Sequence, residues 1–282
     1  MKTLLLALAL VGALTLPVVA EDENAFFTPD DPVVAHPTVT YADLIKQVIP
    51  DFAQNEHSDW VGTLPDGIRH IDGPDTVGEK PDELKIGNVD VRQLDADGHK
   101  NIWVMADLNG GGMLGMYTLL MVFDDGPSPK LLDAVEVDTD QLTGFLGDQL
   151  RISASDEAIV VDSEHSNSSQ TYQDQSLLFV YKGRLTRIAE FFAFGTRTCT
   201  YDQTEFVDVT AAPGGKGFRP IKIVNTRSVA KFAASEECPD AKDSDYRKTD
   251  YTAVYKWDAK TGQYQTKSKE LDRLFKADQD QF

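Results

Sequence analysis

Beyond residue 60 the chain is dominated by apolar and polar residues that alternate with period two. Leu150, Ile152 and Ala154 alternate with Gln149, Arg151 and Ser153, and Val135 and Val137 with Glu136 and Asp138. Tyr251, Ala253, Tyr255 and Trp257 share one face, with Thr252 and Lys256 on the other. Each such segment is predicted to be a half-buried strand. Ser176 to Tyr181 is almost continuously apolar and reads as a central strand covered on both sides. Lys182-Gly183 joins that strand to Leu185–Phe191 as a tight hairpin. Asp258-Ala259-Lys260-Thr261-Gly262 turns the chain from Trp257 to Tyr264, and Asp124-Asp125-Gly126-Pro127 separates Leu119–Phe123 from Leu131–Val137. The prediction is a mainly β chain, an antiparallel meander of sandwich or propeller-like form. No repeat of fixed period argues for whole propeller blades.

Helical patterning is confined to the two ends. Thr40 stands as an N-cap with Asp43 three residues on, Leu44, Ile45, Val48 and Ile49 form one stripe, and Pro50 ends it. Ser268 starts a last helix with Leu271, Leu274 and Phe275 on one face. Residues 21–39, acidic and holding Pro29, Pro32 and Pro37, read as an extended leader. Residues 40–282 then form one β-rich domain, or two packed β subdomains meeting near 140–150.

The first 20 residues follow a different logic. Lys2 gives a positive start, Leu4 to Leu16 is uncharged and largely apolar, Pro17 breaks the run, and Val18, Val19 and Ala20 put small residues before Glu21. That order predicts a signal peptide cleaved near Ala20. The run is shorter than the roughly 20 residues a membrane-spanning helix needs. The expected location is periplasmic or secreted, with no membrane insertion after cleavage.

Charge narrows the partners. The chain carries 27 Lys and Arg against 46 Asp and Glu, a formal net charge of −19. Phosphate-backbone binding depends on clustered cations, so nucleic acid is not expected as a partner. Two cysteines, Cys199 and Cys238, flank a loop-rich segment; an exported chain with an even count and no CxxC is expected to pair them.

Four segments have the residue types of a site. Gln93-Leu94-Asp95-Ala96-Asp97-Gly98-His99-Lys100-Asn101 places oxygens at alternate positions with a Gly for the turn, the arrangement of a calcium loop with Asp95, Asp97 and Asn101 as ligands. It resembles the DxDxDG loops of FG-GAP and VCBS repeats, but Gln93 stands where the first acid belongs and Asn101 replaces the last. The bland alternative is an Asx-bonded hairpin turn. Asp162 to Tyr172 is densely polar and offers Asp162, Glu164 and His165 as acid–base candidates or a sugar-binding rim. The alternative is a solvated hairpin, and no GxSxG occurs in the chain. Asn109-Gly110-Gly111-Gly112 lacks the Lys and following helix of a phosphate cradle and reads as a loop. The aromatic run Phe191-Phe192-Ala193-Phe194 reads as core.

The segments Lys130–Val135, Leu142–Phe145, His165–Gln170, Arg197–Cys199 and Tyr255–Asp258 resemble a group of exported proteins of Gram-negative bacteria to which no activity is attached. The resemblance implies location and architecture, not chemistry. The functional expectation is a non-catalytic binding or envelope-associated module, with an envelope protein or a glycan as partner. The alternative is an envelope hydrolase acting on glycan or peptide.

Overall fold

A computed structural model describes residues 26–34, 36–71, 73, 84–87, 89–92, 101–108, 117–137, 142–213, 217–233 and 238–279. The expected signal peptide, the Asp95/Asp97 loop and the Gly110–Gly112 run lie outside these residues.

The first part of the chain contributes β1 (Phe26–Phe27), β2 (Pro32–Val33), β3 (His36–Thr40), α1 (Tyr41–Ile45), β4 (Ala53–Gln54), β5 (Trp60–Gly62), β6 (Arg69–His70), β7 (Leu84–Ile86), β8 (Val89–Arg92), β9 (Asn101–Leu108), β10 (Tyr117–Asp124) and β11 (Leu131–Glu136). A six-stranded sheet has the order β1-β8-β9-β10-β11-β6, antiparallel except for the β11–β6 pair. Part of the expected leader is docked: Phe26 and Phe27 pair with β8, and Val33 is buried.

Helix α1 begins on a capping box. Thr40 Oγ accepts from the Asp43 N–H at 3.2 Å, and Asp43 accepts from the Thr40 N–H at 3.0 Å. The helix is shorter than its apolar stripe. After Ile45 the backbone tightens into i→i+3 bonds, Gln47 N–H to Leu44 and Val48 N–H to Ile45, before Pro50. The stripe is buried all the same, with Leu44, Ile45, Val48 and Ile49 packed in one core with Ile102, Val104, Leu119 and Met121.

The second part contributes β12 (Leu142–Arg151), β13 (Glu157–Ser166), β14 (Gln170–Tyr181), β15 (Arg184–Arg197), β16 (Tyr201–Ala211), β17 (Ile221–Lys231), β18 (Arg247–Asp258), β19 (Gln263–Gln265) and α2 (Glu270–Gln279). These strands form one antiparallel sheet in sequence order. The β14–β15 hairpin closes on Lys182 and Gly183, both at positive φ (53° and 72°), as a two-residue turn matched to strand twist requires. Strand β12 stops at Arg151 because Ser153 Oγ takes the Ser155 and Asp156 N–H groups, and the Asp156 carbonyl takes those of Ile152 and Ser153.

Strands β15 and β16 pair only at Thr196–Gln203 and Arg197–Asp202. Across that seam β12–β15 and β16–β19 enclose a core in which Phe179, Ile188 and Phe191 meet Val207, Ile221, Ile223 and Tyr264. Phe179 is the hub of an aromatic cluster, with Tyr181, Phe218, Trp257 and Tyr264 rings centred about 6 Å away. The other face of the large sheet offers Ile159, Val161, Leu178 and Leu185 to Trp103, Met105, Leu120 and Val122 of the six-stranded sheet. The protein is therefore mainly β and sandwich-like, with short helices near its ends. Among the described residues no helix is long and apolar enough to cross a membrane.

Candidate functional site

The polar segment at 162–172 is the β13–β14 hairpin. Its tip is an Asx turn: Asn167 Oδ1 accepts from the Ser169 and Gln170 N–H groups, and the Asn167 N–H reaches the Gln170 carbonyl. Strand alternation divides the three acid–base candidates. Asp162 and Glu164 continue the face that carries Val160, whereas His165 shares the opposite face with Val161 and meets the edge of its cross-strand partner Tyr172 at 6.3 Å. The fold thus brings Asp162 and Glu164 together and points His165 elsewhere. Burial pushes the Asp162 carboxyl up, against a hydrogen bond from Gln175. Asp162, Glu164 and Asp107 line a groove of about 230 Å³ beside Leu142–Leu146. Burial raises Asp107 as well, with Thr118 Oγ donating to it at 3.1 Å.

The same hairpin tip forms one wall of a larger cleft, about 470 Å³, at the seam of the large sheet. Asn167 to Thr171 face Thr196 and Arg197 from β15, Asp202 and Thr204 from β16, and Tyr246. The Arg197 N–H bonds to the Ser169 carbonyl, so hairpin and strand move as one wall. Arg197 lies 3.8 Å from Asp202 and donates to Asp240 at 2.8 Å. Burial first, then the charge of Asp202, pushes the Tyr246 phenol up. Cys199 and Cys238 form a disulfide, Cα atoms 4.3 Å apart, that pins the β15–β16 turn to the segment bearing Asp240.

Behind the cleft lies a cluster that the sequence reading missed. Gln203, fully buried, accepts at Oε1 from Tyr201 and Arg227, 2.6 Å each. It donates from Nε2 to Glu205 and to Asp278 of α2, 3.1 Å each. Asn225 donates to Glu205 at 3.0 Å and to the Phe192 carbonyl at 3.0 Å. Two carboxylates with negligible exposure therefore share one guanidinium, Arg227, at 3.7 to 3.9 Å. Burial, then Asp278, pushes Glu205 up to about 8, and burial also raises Asp278. Burial works against the charge of Arg227, but Asp278, Tyr201 and Tyr251 together outweigh it and the guanidinium is raised.

Two signals pointed there. Gln203 and Glu205 interrupt the inward face of β16 where Arg227 and Asn225 interrupt that of β17, and Glu205 and Arg227 are directly opposed. Asp278 also continues the apolar stripe Leu271, Leu274, Phe275 at helical spacing.

Of the calcium candidates only Asn101 is described. It opens β9, buried, opposite Asp124. Among the described residues no three His, Cys, Asp or Glu side chains gather as a metal set. Comparisons with models of known families, with characterised proteins and with solved structures find no match.

Proposed function

We propose that this chain is an exported, non-catalytic binding module whose ligand seats in the cleft between the β13–β14 hairpin and the β15–β16 seam. One observation carries the reading: the cleft is walled largely by side chains that donate and accept without net charge, Asn167, Ser168, Gln170, Thr171, Thr196 and Thr204, beside Arg197, whose charge Asp202 and Asp240 share. Such a rim matches the hydroxyl pattern of a glycan, with Tyr246 as an aromatic flank. Export rests on the ordered charged, apolar and small residues before Glu21. The test is calorimetric titration of the oxidised protein with envelope glycan fragments, beside N-terminal sequencing of the protein recovered from cell fractions. Binding lost in Thr196→Val and Arg197→Ala, with a mature N-terminus near Glu21, supports the reading. An intact N-terminus, or unchanged affinity in both variants, ends it.

A second reading, an envelope hydrolase, draws on the Asp107, Asp162 and Glu164 groove. A raised carboxyl beside a second carboxylate is the arrangement an acid–base pair uses. Glycan or peptide turnover abolished by Asp162→Asn would favour it over the binding module.

A further inference from the structure

In the large sheet the outward edge of β18 is covered only in part. Strand β19 covers β18 only at Lys256, Trp257 and Asp258. Further along that edge, the Thr252 N–H donates to Glu270 at 2.7 Å and its carbonyl accepts from Ser268 Oγ at 2.9 Å. The main-chain groups of Thr252 therefore point away from β17, and by alternation so do those of Val254 and Lys256. Lys256 faces Gln265 of β19, whereas Val254, between the two covered positions, has no bonding partner for its outward N–H and carbonyl among the described residues. The crossing segment after Gln265 leaves strand geometry there, and a groove of about 650 Å³ opens.

The groove has a definite chemistry. Val254 lies on its floor, 40 % exposed. Lys256 and Lys267 stand exposed at its sides, and among the described residues neither has a carboxylate partner. Asp258 also lines it, but its Oδ1 accepts the Lys260 N–H at 2.9 Å. In a chain of net charge −19, two unpaired lysines beside an open strand edge make a local site for an anion.

We propose that this groove docks an extended peptide segment bearing a carboxylate. The peptide main chain completes the rung at Val254, an apolar side chain lies on the Val254 isopropyl group, and the carboxylate sits between Lys256 and Lys267. One rung and two exposed ion pairs make a weak, salt-sensitive complex. The site is separate from the cleft and does not depend on the binding-module reading.

The experiment uses the full oxidised chain and a fluorescein-labelled peptide of alternating threonine and valine that ends in two glutamates. Three companion measurements are made: the same peptide with glutamines and an amidated end, the acidic peptide with one ester replacing the amide at the rung, and the acidic peptide on protein variants. The expected result is binding of the acidic peptide that weakens at least tenfold for the amidated control and severalfold for the ester. It should also weaken at least tenfold in Lys256→Gln/Lys267→Gln, with the melting temperature unchanged. Lys46→Gln and the cleft variant Arg197→Ala should bind as the parent does. Equal binding of acidic and amidated peptides, no loss in the double lysine variant, or an equal loss in Lys46→Gln would overturn the proposal. Loss of glycan binding in Arg197→Ala with peptide binding intact would confirm that the two sites are distinct.

Discussion

Glu205 on β16 and Asp278 on α2 accept hydrogen bonds from the same nitrogen, Gln203 Nε2, at 3.1 Å each. Burial raises both carboxyls, and the charge of Asp278 adds to it at Glu205, which is pushed up to about 8. In the unfolded chain they ionise in the ordinary carboxylate range. Between that range and pH 8 the folded state binds more protons than the unfolded one, so its stability falls as pH rises. Melting temperature is expected to decline from pH 5 to pH 8 in the parent and to follow a flatter course in Glu205→Gln. Parallel curves for the two proteins would show that the pair does not hold this proton.

The capping box at Thr40 is a second point of leverage. Thr40→Ala removes the acceptor for the Asp43 N–H and is expected to cost about 1 kcal/mol, read from urea midpoints at constant slope. Thr40→Asn, which can still cap, should recover most of it.

Phe179 is 1 % exposed and meets four aromatic neighbours in the enclosed core. Phe179→Ala is expected to lose about 3 to 5 kcal/mol by chemical denaturation. Phe206, 71 % exposed on β16, serves as the contrast: Phe206→Ala should change stability by about 0.5 kcal/mol or less.

The disulfide closes a loop of sequence separation 39. Its reduction is expected to lower stability by about 4 kcal/mol in the chain-entropy account. Intact-mass analysis before and after reduction checks the pairing; two alkylatable thiols in the untreated, non-denatured protein would contradict it.

Local signals in the sequence read well where a local interaction decides the structure. The Thr40–Asp43 box, the Lys182-Gly183 turn, the buried run from Ser176 to Phe179 and the helix over Leu271, Leu274 and Phe275 all involve residues a few positions apart. The α1 stripe was legible as buried but not as irregular after Ile45, because burial of Val48 does not require an i→i+4 bond. Sequence proximity misled at 162–165: adjacent residues on a strand face opposite ways, so the His165 and Glu164 side chains lie on opposite faces of the sheet. The cluster around Gln203 was legible only as polar residues at inward positions. Its partners lie 24 and 75 residues away, and alternation says which face a residue takes, not who stands opposite.

The large sheet also has an order of assembly written into it. Each of its strands pairs with the one synthesised just before, so a chain emerging N-terminus first can finish every ladder with residues already free of the channel. Only α2 must wait, since Asp278 returns to a strand made 75 residues earlier. Vectorial growth would thus leave the Glu205 and Arg227 side chains open to water until α2 arrives to close over them.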